Sequence, residues 1–297
     1  MLSSSEFVTI SLPDQRTLSL RRYGNPKHPA VLFFHGYASS CLGVPDVPAV
    51  LSRLGLQVLA PDRPGVGQST APEHTTLELV AADAVAALDA LDVPIPLAVA
   101  AWSGGGPYAM ALAALYPQRV ASLHLLSTVL PLGDPHAYPR LTLPWKATRF
   151  ANDYLSALGR VALAAVSRKW EKEPEKTIDE YLMLLGPAER AVRFQHPTRE
   201  ILRDAAVRGF AQNGLGVFLD GQALCRAPTF QLSAIQATTT LWHGSNDGVW
   251  APDNITYLTT HIPQAHLRLI PGESHMLYLN HWEAILNDIR ADLPPYV

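Results

Sequence analysis

Cysteine is scarce in this 297-residue chain, with Cys41 and Cys225 the two present. Two thiols cannot build a disulfide framework, and their spacing suits no metal site, so both are expected to be reduced in a cytosolic protein. Charge is sparse too: 16% of residues, with a formal net charge of −3. That excludes a basic stripe for nucleic acid and a polybasic segment for an anionic membrane. Apolar stretches long enough to cross a bilayer are missing. The run from Val80 to Ala101, for example, is broken by Asp83, Asp89, Asp92, Pro94 and Pro96. Met1-Leu2-Ser3-Ser4-Ser5-Glu6 lacks the positive start and apolar core of a secretory signal, so a cytoplasmic location is expected. No repeat, charge block or low-complexity tract is present, and the histidines show no metal-ligand spacing. Neither a cofactor nor a metal is expected. The expected partner is a small, mostly apolar molecule, with no nucleic acid and no membrane; the sequence leaves open whether the protein is a homodimer.

The chain does have material for a core. Hydrophobic residues make up 48% of it, enough for one large domain or two small ones. Phe7 to Leu12 and Thr17 to Tyr23, separated by Pro13-Asp14-Gln15-Arg16, read as an antiparallel pair of strands. Ala30 to Phe34 is continuous and apolar, as a parallel strand buried on both faces must be. A helix over Asp46 to Leu54, a strand over Gln57 to Ala60 and an amphipathic helix over Leu77 to Leu91 follow. The alternation continues through Ile95 to Ala100 and Val120 to Ser127, which implies βαβ units, a parallel sheet and right-handed crossovers.

From about Leu130 to Ala237 the rhythm stops, and helices are expected over Arg149 to Lys169, Lys176 to Leu185, Thr198 to Phe210 and Val217 to Cys225. Trp145, Phe150, Trp170 and Phe218 supply apolar bulk there. Strands resume at Thr238 to Trp242 and His266 to Ile270, with helices over Pro252 to His261 and Trp282 to Leu293. The division predicted is a core over 1–129 and 238–297 with a helical insertion, 130–237, covering one end of the sheet. An independent helical domain is the alternative.

The stretch that organises the rest is Ala101-Trp102-Ser103-Gly104-Gly105-Gly106, between an apolar strand and the helix-forming run Pro107 to Leu115. A serine at so tight a strand-to-helix turn is forced into a strained backbone, with its hydroxyl standing clear of the sheet. Ala101 stands where G-x-S-x-G has its first glycine, a change of one methyl group. Ligands of open parallel sheets bind beyond the carboxyl ends of the strands. Three more suggestive segments fall at such ends: His35-Gly36-Tyr37, His243 to Asp247 and Gly272-Glu273-Ser274-His275.

On these segments the chain resembles the α/β-hydrolase fold superfamily from about Phe7 to Leu293, with a cap inserted after the sixth strand. The fold class implied is α/β, a mostly parallel central sheet with flanking helices and an inserted helical cap. Ser103, Asp247 and His275 fall in the family's order of nucleophile, acid and histidine. His275 is the candidate base, since imidazole titrates near neutrality, and Asp247 would orient it. Glu273 and Asp134 are the fall-back acids. His35-Gly36 resembles the family's oxyanion loop, and the resemblance implies the amides of Tyr37 and Gly104 as oxyanion donors. It also implies that His35 holds that loop by hydrogen bonds. Asp62 to Ser69 resembles the D-x-x-G-x-G-x-S turn, with Gly65 and Gly67 permitting the bend. Trp102 and Trp250 either line a pocket or pack beneath it. A serine nucleophile fits acyl transfer to water, so the expected activity is hydrolysis of a carboxylic ester, a lactone and a thioester being included. Aminopeptidase or C–C bond hydrolysis on the same fold, and a hydrophobic-ligand receptor, are the alternatives.

Overall fold

A computed structural model describes residues 5–250 and 252–293; the expectation stated for Met1 to Ser4 lies outside them. The chain opens with the hairpin β1 (Glu6–Ser11) and β2 (Thr17–Gly24), joined through the turn at Gln15. Then come β3 (Ala30–Phe34), α1 (Pro48–Leu54), β4 (Gln57–Pro61), α2 (Leu77–Ala90) and β5 (Leu97–Trp102). Next are α3 (Gly106–Leu115) and β6 (Val120–Leu126). Among the described residues the strands form one sheet in the order β1-β2-β4-β3-β5-β6 and then two later strands, β7 (Thr238–Gly244) and β8 (Ala265–Ile270). β2 runs antiparallel to both its neighbours, and every other pair is parallel.

β3, β4 and β5 are buried at every residue, because helices cover both faces. Alternation along β5 sends Val99 and Ala101 to one apolar cluster, with α2 and α3, while Ala98, Ala100 and Trp102 go to the other. The second face is closed by α1 and α11 (Leu277–Asp292). Helix α11 begins five residues before the expected Trp282, since Leu277 and Tyr278 also turn inward to pack near Phe33. Asp83 of α2 does not face water as an amphipathic helix would have it. It is 6% exposed and takes a bidentate pair from Arg16 of the hairpin turn.

Between β6 and β7 lie α4 (Leu143–Tyr154), α5 (Ser156–Lys172), α6 (Pro174–Leu184), α7 (Pro187–Ala191), α8 (Thr198–Gly209) and α9 (Ala211–Cys225). The single helix expected over Arg149 to Lys169 is two, broken at Leu155, whose backbone (φ −128°, ψ 29°) leaves the helical region. Nothing in the sequence marks this break: neither glycine nor proline stands there, and apolar residues continue through it. The left-handed turn Gln212-Asn213-Gly214 opens α9, with regular helix after it. α10 (Pro252–His261) precedes β8 as expected. Both cysteines are free thiols, and burial pushes that of Cys225 up to about 12. No helix among the described residues is long and apolar enough to cross a membrane.

Where β5 runs into α3, backbone approaches backbone. A methyl group on Gly105 would lie 2.3 Å from the carbonyl oxygen of Phe34 and 2.6 Å from that of His35. Since neither carbonyl can rotate away, Gly105→Ala is expected to cost about 3 kcal/mol, read as a fall in the denaturation midpoint. Gly159, inside α5, has nothing within 4 Å of such a methyl group. Gly159→Ala is therefore expected to raise stability by roughly 0.5–1 kcal/mol in the same assay.

Candidate active site

The serine is placed by the turn. Ser103 has φ +52°, a left-handed conformation costly for a side-chain-bearing residue, and it opens a tight helical turn that passes directly into α3. Its carbonyl is held by the Thr128 hydroxyl at 2.9 Å. Parallel pairing of β5 with β6, of β6 with β7 and of β7 with β8 aligns their carboxyl ends. The loops after β7 and β8 thus arrive beside Ser103.

Three side chains meet there. His275 Nε2 lies 2.9 Å from Ser103 Oγ, and His275 Nδ1 lies 2.9 Å from Asp247 Oδ2. A carboxylate can only accept, so Nδ1 carries the imidazole proton and Nε2 presents its lone pair to the serine hydroxyl. The other oxygen of Asp247 accepts the amides of Val249 and Trp250 at 2.8 and 3.1 Å. One carboxylate therefore both caps its own turn and faces the histidine. Burial alone would raise its pKa, but electrostatic attraction to His275, the hydrogen bond from it and the Trp250 amide hold it below the usual 3.8. The fall-back acids lie elsewhere: Glu273 pairs with His281 and Asn280, and Asp134 accepts the amide of His136.

The loop after β3 completes the floor. A methyl group on Gly104 would sit 3.1 Å from the Tyr37 amide nitrogen, so these two amides are neighbours. His35 Nδ1 lies 2.9 Å from Gly36 O, and burial followed by the Arg63 charge holds this imidazole well below its ordinary 6.5, neutral at pH 7. Gly65 and Gly67 have φ of +77° and +56°, as the bend after β4 demands.

Trp102 and Trp250 part company. Trp102 lines the cavity above Ser103, touches His275 ring to ring at 5.5 Å and donates from Nε1 to the His275 carbonyl at 3.1 Å. Trp250 does not line the cavity; it is 1% exposed and packs beneath, against Trp145 and the edge of His275. Its neighbour Val249 takes the wall position. The cavity measures about 470 Å³ and is walled largely by the inserted helices through Trp145, Leu163, Trp170, Leu202, Phe210 and Val217. Lys169 and Glu180, paired with each other and half exposed, stand in its wall. Among the described residues no cluster of three His, Cys, Asp or Glu side chains could hold a metal.

Two acids of the insertion reach this floor without any local sequence signal. Glu189 of α7, fully buried, accepts the His275 amide at 3.1 Å. Asp220 of α9 pairs with Arg63 behind the loop that follows β3. In both cases the partner lies far away along the chain, and no motif or periodicity links the two.

Histidines give the site a pH signature. Burial also lowers the His243 pKa below 6.5, against the pull of Asp247. His35 and His243 are thus neutral when folded but take up protons near pH 6.5 when unfolded, so the unfolded state binds more protons below that pH. Stability is expected to be full above about pH 6.5 and to decline as pH falls from there, read by chemical denaturation. His243→Asn should flatten that decline. The contribution of Asp247 is lost only further down, as pH falls below 3.8 through its lowered folded value.

Comparison with known proteins places the chain in a family. The chain is 28% identical over 236 residues to a pimeloyl-[acyl-carrier protein] methyl ester esterase of Chromobacterium violaceum, covering 78% of this chain and 82% of that one. A thermophilic esterase from Thermogutta terrifontis superposes with a TM-score of 0.69 at 22% identity, covering 96% and 97% of the two chains. The enol-lactonase of Burkholderia xenovorans does so with 0.70 at 18% identity, covering 96% and 99%. The α/β hydrolase fold family matches residues 29–281, and the chain belongs to it.

Proposed function

We propose that the protein is a serine hydrolase that cleaves a carboxylic ester of a small, mostly apolar substrate through an acyl-enzyme on Ser103. The observation that carries this is the hydrogen-bonded line Ser103–His275–Asp247 on the floor of an apolar chamber. His275 Nε2 takes the hydroxyl proton as Ser103 Oγ attacks the ester carbonyl. Asp247, ionised, stabilises the imidazolium without taking the proton. The carbonyl oxygen, now negative, faces the amides of Tyr37 and Gly104. The imidazolium then protonates the departing alcohol as the tetrahedral intermediate collapses to the acyl-enzyme. Water, deprotonated by the same nitrogen, repeats the sequence and releases the carboxylic acid.

Support for an ester comes also from the Chromobacterium relative, which is named for cleaving a methyl ester. The strained serine argues against a receptor, since binding alone gives no reason to keep a side-chain-bearing residue at φ +52°. The walls favour apolar acyl groups.

Ser103→Ala is expected to lower kcat on a short p-nitrophenyl ester by at least ~10⁴-fold and to abolish fluorophosphonate labelling, with the denaturation midpoint maintained. Asp247→Asn should lower kcat by ~10⁴-fold, since it disturbs the tautomer at His275. Equal labelling of wild type and Ser103→Ala would contradict the assignment.

A further inference from the structure

Behind the Tyr37 amide lies a buried charge that the reaction above does not use. Arg63, just after β4, is 1% exposed. Its Nη1 donates to the His35 carbonyl at 2.5 Å and its Nη2 to the Gly36 carbonyl at 2.9 Å. Nε and Nη2 also donate to the two oxygens of Asp220 in α9, at 2.7 and 2.6 Å. Tyr108, in the first turn of α3, donates to the same carboxylate at 3.0 Å, and the guanidinium lies 4.7 Å from its ring centre. Four of the five guanidinium N–H donors are thereby used.

Peptide geometry gives this contact its meaning. In a trans peptide the C=O and N–H point in opposite directions, and the Gly36 C=O and Tyr37 N–H belong to one peptide unit. A carbonyl pinned on the Arg63 side sends the Tyr37 N–H the other way, toward Gly104 and Ser103. Neutral His35 donates from Nδ1 to the same oxygen, a second constraint on the same plane. A cationic donor on the oxygen also polarises the unit and strengthens its N–H as a donor.

We propose that Arg63 is a positioning residue for ester cleavage: it fixes the Gly36–Tyr37 peptide so that the Tyr37 amide meets the developing oxyanion, and Asp220 fixes Arg63. This rests on the hydrolytic reading above. It makes the oxyanion site a joint product of the sheet and the inserted helices, since the carboxylate that orients Arg63 comes from α9. The neighbouring residue repeats the connection with charges reversed: Asp62 pairs with Arg208 of α8 at 2.7 Å. The dipeptide after β4 is therefore anchored to two inserted helices.

The test uses Arg63→Lys and the double variant Arg63→Met/Asp220→Leu, which removes both buried charges together so that neither is left unpaired. Thermal denaturation first establishes that each is folded. The double variant is expected to lose kcat on a short ester by ~10²–10³-fold, the effect of losing one oxyanion donor, with KM within about threefold of wild type. The inhibition constant of a trifluoromethyl ketone, which becomes an oxyanion on adding to Ser103, should rise in parallel; a purely structural role would not link the two. Arg63→Lys keeps the charge but loses the fork, and should fall between. A folded double variant with kcat and ketone affinity near wild type overturns the proposal. So does a loss confined to KM. If the double variant does not fold, Arg63→Lys with wild-type kcat and ketone affinity overturns it alone. A wild type with neither ester turnover nor label on Ser103 contradicts the hydrolytic reading and this assignment with it, whereas an active wild type with unaffected variants contradicts this assignment only.

Discussion

The contact between Ser103 Oγ and His275 Nε2 joins residues 172 positions apart, and the rest of the structure can be understood by what keeps that distance at 2.9 Å. One side is set by the strained turn after β5, with its carbonyl held by Thr128. The other side is a loop with little regular structure of its own, so it is pinned at its main chain. Trp102 donates to the His275 carbonyl, Glu189 accepts the His275 amide, and Asp247 holds the ring. A histidine fixed at backbone and side chain would have little freedom left to lose in the role of base proposed for it.

Buried ion pairs are weak stabilisers, because desolvation offsets most of the attraction. That makes the two pairs after β4 informative. Asp62–Arg208 and Arg63–Asp220 place four charged groups at the junction of sheet and insertion, three of them almost wholly out of water. Apolar residues of similar volume would hold the junction as well. What they would not do is direct hydrogen bonds to the His35 and Gly36 carbonyls and so set the angle of one peptide plane.

The sheet was legible in the sequence because buried parallel strands leave continuous apolar runs, such as Ala30 to Phe34, and because helix-forming runs alternate with them. Ser103, Asp247 and His275 could be nominated for a related reason: each stands in a loop at a strand end, among small or turn-forming residues. The insertion was less legible. Its helices are divided by backbone geometry at Leu155 rather than by a breaker residue, and α7 is only five residues long. Trp250 was ambiguous because being next in sequence to a wall residue says nothing about which way a side chain turns. Arg63–Asp220 and Glu189–His275 were beyond reach for another reason. They exist only once the insertion has folded over the sheet, so neither leaves a spacing to find.

The most direct measurement is a crystal structure of the protein after reaction with an alkyl fluorophosphonate, whose phosphoryl oxygen stands where an ester's oxyanion would. Phosphorus is expected bonded to Ser103 Oγ, with that oxygen about 2.7–3.1 Å from both the Tyr37 and Gly104 nitrogens and the alkyl chain in the chamber. An adduct on another residue, or on Ser103 with its oxygen turned away from both amides, would contradict it.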